Sequence, residues 1–260
     1  MKVVDFNSDL GESFGQWKLG ADDVLMRVIS SANVACGFHA GDPRTMRATV
    51  KAARAHRIAL GAHPGFPDLL GFGRRTLGAS PADVKDYVLY QIGALGAFAR
   101  AAGSSLHHVK PHGALYVMAL EDGSVARAVA EAVSEFDETL LVYTLADSEM
   151  WDAAVKAGIR PVPEFFADRP IRRDGTVVMF EWQHLFDPTP QAVAARVASF
   201  ISSGSVPSLE GDPVPVSAAT ICVHSDTPGA GTIGPAVRAA IERAGVVVSS
   251  DLTIESVPSG

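Results

Sequence analysis

The chain has 260 residues, 47% of them hydrophobic and 20% charged, with a mean hydropathy of +0.17. That size and composition describe a globular protein able to bury roughly three quarters of its unfolded surface, and they exclude a disordered chain. A net charge of -7 and a pI near 5.6 argue against nucleic acid as a partner, because phosphate binding draws on a surplus of Lys and Arg.

In chain order, Val3 to Asp9 reads as a strand running into Leu10-Gly11-Glu12, followed by a loop and a short helix over about 22–30. Ala32 to Cys36 is a second strand, closing on Gly37-Phe38-His39. Asp42-Pro43 starts a helix, because the Asp42 carboxylate can accept from orphan amides and Pro43 loses no hydrogen bond in the first turn; the helix runs to about His56. Ile58 to Ala62 is a strand ending at His63. The connection from Pro64 to Ala79 is long, rich in Gly and Pro, and carries Asp68, Arg74 and Arg75; loops of that length within a domain are often functional.

Ser80-Pro81-Ala82-Asp83 has the outline of a capping box, and Val84, Val88, Ile92, Leu95 and Ala99 recur at helical spacing up to Gly103. Leu106 to Val109 is a strand that stops at Lys110-Pro111-His112-Gly113. A helix over 124–135, a strand over 139–145, a helix over 148–157 and a strand over 161–166 follow, the last entering Ala167-Asp168-Arg169. Residues 171–188 carry no readable pattern. Thr189-Pro190 starts a helix to about Ser202, residues 204–217 read as a loop, and the chain finishes as strand 219–223, helix 234–244 and strand 246–249.

Strands and helices thus alternate about seven times, which implies parallel strands joined by crossover helices. Polar clusters follow at least six strands drawn from the whole chain. An open sheet gathers ligands at one switch point, whereas a closed barrel brings every strand end to one mouth. The expectation is therefore one α/β domain over residues 1–260, a (β/α) TIM-like barrel.

Six of the eight histidines lie in those clusters: His39, His63, His107, His108, His112 and His224. Asp9 and Glu12 are paired carboxylates suited to acid–base work, and strand alternation turns Asn7 to the same side as Asp9. Lys110 in a run that should be buried needs an anion, and His112 falls on its side. Glu164, Asp168 and Arg169 fit either an internal ion pair or substrate contacts. Cys36 beside His39 admits a nucleophile reading, but a cysteine ending an apolar strand is usually an inert core residue, as Cys222 is expected to be. Metal ligation remains an alternative, although no HExxH and no i, i+4 histidine pair marks it. With no GxxxxGK[ST] and no GxGxxG after a strand, a nucleotide binds in another way or on another chain.

The two cysteines are too few for a disulfide framework and fit a reducing compartment. MKVVDFNSD lacks the apolar core of a signal peptide, and no apolar run approaches a membrane span, so a soluble, cytoplasmic protein is expected.

The motifs DFNSDLGESFG (5–15), SANVACGFHAGDP (31–43), GAHPGFPD (61–68), HVKPHGALY (108–116), EFFADR (164–169) and CVHSD (222–226) together resemble the LamB/YcsF family over nearly the whole chain, in order. The resemblance implies a distorted barrel related to polysaccharide deacetylases. It further implies a subunit of an ATP-dependent 5-oxoprolinase, which with two partner subunits opens the lactam of 5-oxoproline to L-glutamate. The family's motif positions fall on Asn7, Asp9, Glu12, Asn33, His39, Asp42, His63, Lys110, His112, Glu164, Asp168, Arg169, His224 and Asp226. In the implied reaction Lys110, with Arg74 or Arg169, holds anions, Asp9 or His39 activates water, and His112 donates a proton.

Three departures stand out: Val117 where the family has Asn, Ser225 where it has Gly, and Val178-Met179-Phe180 where it carries a Pro-Arg pair. They leave open a related lactam or amide as substrate. The other readings are a stand-alone metal-dependent amidase or deacetylase, and a non-catalytic lactam-binding subunit. Self-association into a homo-oligomer stays open as well.

Overall fold

A computed structural model describes residues 2–252. In chain order it contains β1 (Val3–Leu10), α1 (Asp22–Leu25), β2 (Ser31–Ala35), α2 (Pro43–His56), β3 (Ala59–His63), α3 (Pro81–Ala101), β4 (Leu106–Val109), α4 (Gly113–Glu121) and α5 (Gly123–Phe136). There follow β5 (Leu141–Thr144), α6 (Glu149–Lys156), β6 (Arg160–Phe166), α7 (Pro190–Ser203), β7 (Ser205–Pro207), β8 (Pro213–Pro215), β9 (Thr220–Cys222), α8 (Ala230–Arg243) and β10 (Val247–Val248). The main sheet runs β10-β1-β2-β3-β4-β5-β6-β9, and β1 also pairs with β9. Seven parallel strands in sequence, the first pairing with the last and helices in the connections, are the topology of a (β/α) barrel. Among the described residues no helix is long and apolar enough to cross a membrane.

Two compact units divide the chain. The first comprises Asp9–Leu19 and Ala32–Val162. Here α2 starts where Asp42 accepts from the Arg44 and Thr45 amides, and α3 starts on a complete capping box between Ser80 and Asp83. Val84, Val88, Ile92, Leu95 and Ala99 are buried, as their spacing predicts, and α3 packs on α5 and β3. Each of the larger aliphatic side chains contributes roughly 1.5–3 kcal/mol by leaving water. The register Ala62↔Val109↔Val142 across β3, β4 and β5 sets the residues that follow each strand side by side. Lys110 continues the ladder by donating its amide to the Ala62 carbonyl at 2.9 Å.

The second unit holds the chain up to Ser8, Gly20–Ser31, and the chain from Pro163 onward. β1 and β6 both pair with β9, placing Asn7 opposite Cys222 and both Asp5 and Glu164 opposite Thr220. Helix α8 packs on α7 and α1.

Four elements differ from the sequence expectation. Helix α4 is absent from that expectation: His112 makes no side-chain cap bond, and Ala114, Leu115, Tyr116 and Ala119 are buried without a one-sided stripe, so no 3.6-residue period announces it. Helix α8 begins at Ala230 and not at 234, accepting Pro235 within its second turn. The helix expected over 22–30 is the four-residue α1 followed by turns. The loop 204–217 contains the antiparallel hairpin β7–β8. Residues 171–188 hold no helix or strand, only a bridge between Ile171 and Val177.

Candidate functional site

In the first unit the polar residues after β1, β2, β3 and β4 converge. Asp9, buried at the end of β1, accepts from Asn33 Nδ2 at 2.8 Å and faces Lys110 Nζ at 3.3 Å through the same oxygen, Oδ1. Its other oxygen lies 3.4 Å from His63 Nε2. Asn33 in turn accepts from His108 Nε2 at 2.7 Å, and the His108 ring stacks on Tyr143 with centroids 4.0 Å apart. A side chain at Gly61 would overlap that imidazole, so the bare backbone of β3 is what admits His108. Burial, then the neighbouring His107 and Lys110, hold His108 well below the ordinary histidine range, so it acts as a neutral donor to Asn33.

A histidine cluster adjoins Asp9. His63 Nδ1 lies 2.7 Å from the Lys110 carbonyl oxygen, and His112 Nε2 lies 2.8 Å from the Phe72 carbonyl oxygen. The remaining nitrogens, His63 Nε2 and His112 Nδ1, are 2.9 Å apart. His39 stacks face to face on His112 at 3.7 Å, and neither of its ring nitrogens makes a hydrogen bond among the described residues. Glu12 Oε1 is 3.6 Å from His39 Nε2 and 3.7 Å from His112 Nδ1. Burial, followed by the nearby His63, keeps His39 well below its ordinary value; burial, His39 and then His63 do the same for His112.

The loop between β3 and α3 frames this cluster. Gln91 of α3 exchanges two hydrogen bonds with the Gly65 backbone, Asp68 binds Arg75, and Ala114 donates its amide to the Gly73 carbonyl. Arg74 lies over the Phe72 ring, 5.1 Å from its centroid. Asp42 serves α2 as its cap and also accepts from the Gly15 amide at 2.8 Å; these donors hold its carboxyl down at about 2. The Cys36 thiol is buried, bonded to the Val34 carbonyl and pushed up to about 12 by burial, so it is not a thiolate near neutral pH.

In the second unit the remaining candidates form two groups. Asn7 donates to Glu164 Oε2 at 3.3 Å and to Thr220 Oγ1 at 2.7 Å, and Thr220 passes the chain on to Asp5. Asp168 accepts from the His224 amide at 3.0 Å, from His224 Nδ1 at 2.9 Å, from Thr227 Oγ1 at 2.5 Å and from Arg169 Nη1 at 2.9 Å. Arg169 also lies over Trp182 and 3.8 Å from Asp226. Asp168 and Arg169 are thus an internal ion pair, while Glu164 belongs to the Asn7 group.

Several partners escaped the sequence reading. Thr220 and Thr227 flank the CVHSD motif and were open to notice there; the Phe72 and Lys110 carbonyls, being main-chain atoms, leave no mark in a sequence. His107 is half-buried, with its Nδ1 3.1 Å from His108 Nδ1, and His56 and His184 are exposed.

The chain is 46% identical to a protein of Heliobacterium modesticaldum named as a subunit of 5-oxoprolinase, over 95% of this chain and 97% of that one. It is 47% identical to the Pyrococcus abyssi protein of the same name, over 94% and 96% of the two chains. Among solved structures, the lactam utilization protein of Thermus thermophilus superposes with a TM-score of 0.90 at 46% identity, covering 96% of this chain and all of that one. The LamB/YcsF family model spans residues 4–255, taking in nearly all of the strands and helices described above, and the chain belongs to the LamB/YcsF family.

Proposed function

We propose that this chain is the lactam-opening subunit of an ATP-dependent 5-oxoprolinase, acting on 5-oxo-L-proline with two partner subunits that supply the ATP-dependent step. The observation that carries the reading is the buried Lys110–Asp9 pair at the strand ends of a chain whose relatives are named for that activity. A five-membered lactam is a resonance-stabilised amide with a poor leaving nitrogen, and phosphorylation of its oxygen makes the carbon attackable. Water then adds to that carbon, the C–N bond breaks with a proton going to nitrogen, and a second water releases phosphate from the acyl phosphate left behind.

In this scheme Asp9 takes the proton of the attacking water and returns it to the leaving nitrogen. The Lys110 ammonium neutralises the anionic oxygens of the phosphoryl group on the activated lactam, in a site dry enough for the charge to act strongly. Arg74 stands beside Phe72 to hold the substrate's anionic groups, and Asn33 fixes the Asp9 carboxylate by donating to it. Asp9 is the base in preference to His39, which lies against His112 and not against Lys110. In this scheme the proton comes from Asp9 in preference to His112, whose Nε2 is directed at the Phe72 carbonyl and whose Nδ1 is directed at His63. Glu12 adjoins this site and Asp42 orders the start of α2 in the same unit, while Asn7, Glu164, Asp168, Arg169, His224 and Asp226 order the second unit. Cys36 and Cys222, both buried free thiols, support a cytoplasmic setting.

The test is ATP-dependent glutamate formation from 5-oxoproline by the partner subunits alone, with this chain, with Lys110→Ala and with Asp9→Asn. Turnover with the wild-type chain only is expected. Turnover by this chain without partners or ATP would favour the stand-alone amidase; full turnover with both variants would favour a lactam-binding subunit.

A further inference from the structure

The protons of the histidine cluster decide what the cluster is. A carbonyl oxygen cannot donate, so the 2.7 Å contact of His63 Nδ1 with the Lys110 carbonyl puts the proton on Nδ1 and leaves Nε2 a bare lone pair in the neutral ring. The 2.8 Å contact of His112 Nε2 with the Phe72 carbonyl likewise leaves Nδ1 bare. Those two bare nitrogens point at each other across 2.9 Å. Two lone pairs repel at that distance unless a cation serves both. Carboxylate oxygens, not donors, complete the surroundings: Glu12 Oε1 at 3.7 Å from His112 Nδ1 and Asp9 Oδ2 at 3.4 Å from His63 Nε2.

We propose that Glu12, His39, His63 and His112 form a binding site for a divalent first-row transition-metal ion of the zinc type. One donor atom from each residue lies within 4.8 Å of the others. The separations of 2.9, 3.6 and 3.7 Å bracket the spacing of about 3.3 Å that ligands about 2.0–2.2 Å from a tetrahedral zinc ion adopt. Imidazole-rich sets select zinc, iron or cobalt over magnesium or calcium. The main-chain carbonyls that fix the outer nitrogens of His63 and His112 are the usual supports of metal-binding histidines. Bound there, the ion would add Lewis-acid chemistry beside Asp9. The inference goes beyond the lactam reading, and binding to the isolated chain tests it without partner subunits.

The full chain is stripped with chelator, and Zn²⁺ or Co²⁺ is titrated in. About one equivalent per chain is expected by elemental analysis, with a visible Co²⁺ spectrum of low-coordinate intensity. His63→Gln and His112→Gln should each weaken binding by more than about tenfold, while His184→Gln, at an exposed site, should not. A long-range proton–nitrogen spectrum of the wild-type histidines needs no variant: Zn²⁺ should shift His63 Nε2 and His112 Nδ1 and leave His56 unchanged. Absence of binding at millimolar Zn²⁺ and Co²⁺, unchanged nitrogen signals, or undiminished binding in both glutamine variants would overturn the proposal.

Discussion

Lys110 and Asp9 stand 101 residues apart in the chain, yet Nζ and Oδ1 are separated by 3.3 Å and both side chains are almost wholly buried. Removing water from two charges is costly, and each partner offsets the penalty of the other. Lys110→Met should therefore destabilise the protein by about 3–5 kcal/mol, and combining it with Asp9→Asn should cost less than the sum of the two. Urea unfolding of the four proteins measures the coupling. In the glutamate-forming assay, Lys110→Met should lower turnover at least ~10²-fold, the scale for losing one preorganised group that stabilises transition-state charge.

Asp42 links stability to pH. Hydrogen bonds from the Gly15, Thr45 and Arg44 amides and the Thr45 hydroxyl depress its carboxyl to about 2, against about 3.9 in the unfolded chain. A depressed carboxyl stabilises fully above the unfolded value, and that contribution disappears as pH falls through the folded one. Asp42→Asn should keep the cap while flattening the loss of stability between about pH 4 and 2; Asp42→Ala should cost about 0.5–2 kcal/mol at neutral pH. Thermal unfolding across that range checks both.

The thiols make a chemical prediction. With Cys36 and Cys222 buried, and Cys36 pushed up to about 12, neither should react with a thiol reagent in the native protein, and both should react once it is unfolded. Cys36→Ala should leave lactam turnover within about threefold, whereas loss of a true nucleophile would abolish it.

Asp168 should be among the residues whose loss the fold tolerates least. Burial would raise its carboxyl, but the Arg169 charge and the His224 and Thr227 hydrogen bonds more than offset that and hold it well below the usual carboxylate range. Its stabilising effect is complete above about pH 4 and persists far into acid. Asp168→Ala should cost about 3–5 kcal/mol at pH 7, because the buried Arg169 would keep, among the described residues, the more distant Asp226 as its one carboxylate partner. Denaturant midpoints at pH 7 and pH 4 should show nearly the same loss.

The sequence made the frame legible wherever local chemistry and packing agree. Ser80 with Asp83, and Asp42 with Pro43, mark helix starts that the structure reproduces, and the α3 stripe is buried residue for residue. Helix α4 escaped because its residues are apolar on all sides, so periodicity had nothing to report. At the site, Asp9 and Lys110 were legible because a strand end is a poor place for an unpaired charge. The tautomers of His63 and His112 were not, since they depend on carbonyls of residues 110 and 72 whose direction only the folded chain determines.

The bond from His112 Nε2 to the Phe72 carbonyl uses a main-chain atom, in a residue held at φ 54 just before Gly73, whose own carbonyl receives the Ala114 amide. No side-chain replacement at position 72 can delete such an acceptor, so point substitutions there that preserve the backbone keep the hydrogen bond, although they remove the ring that packs edge-on against His112 at 5.2 Å. A change in the number of residues between Pro64 and Gly73 is another matter. Adding or removing one would swing the carbonyl off the ring and free the proton to move to the other nitrogen, so the loop is constrained in length far more than in spelling.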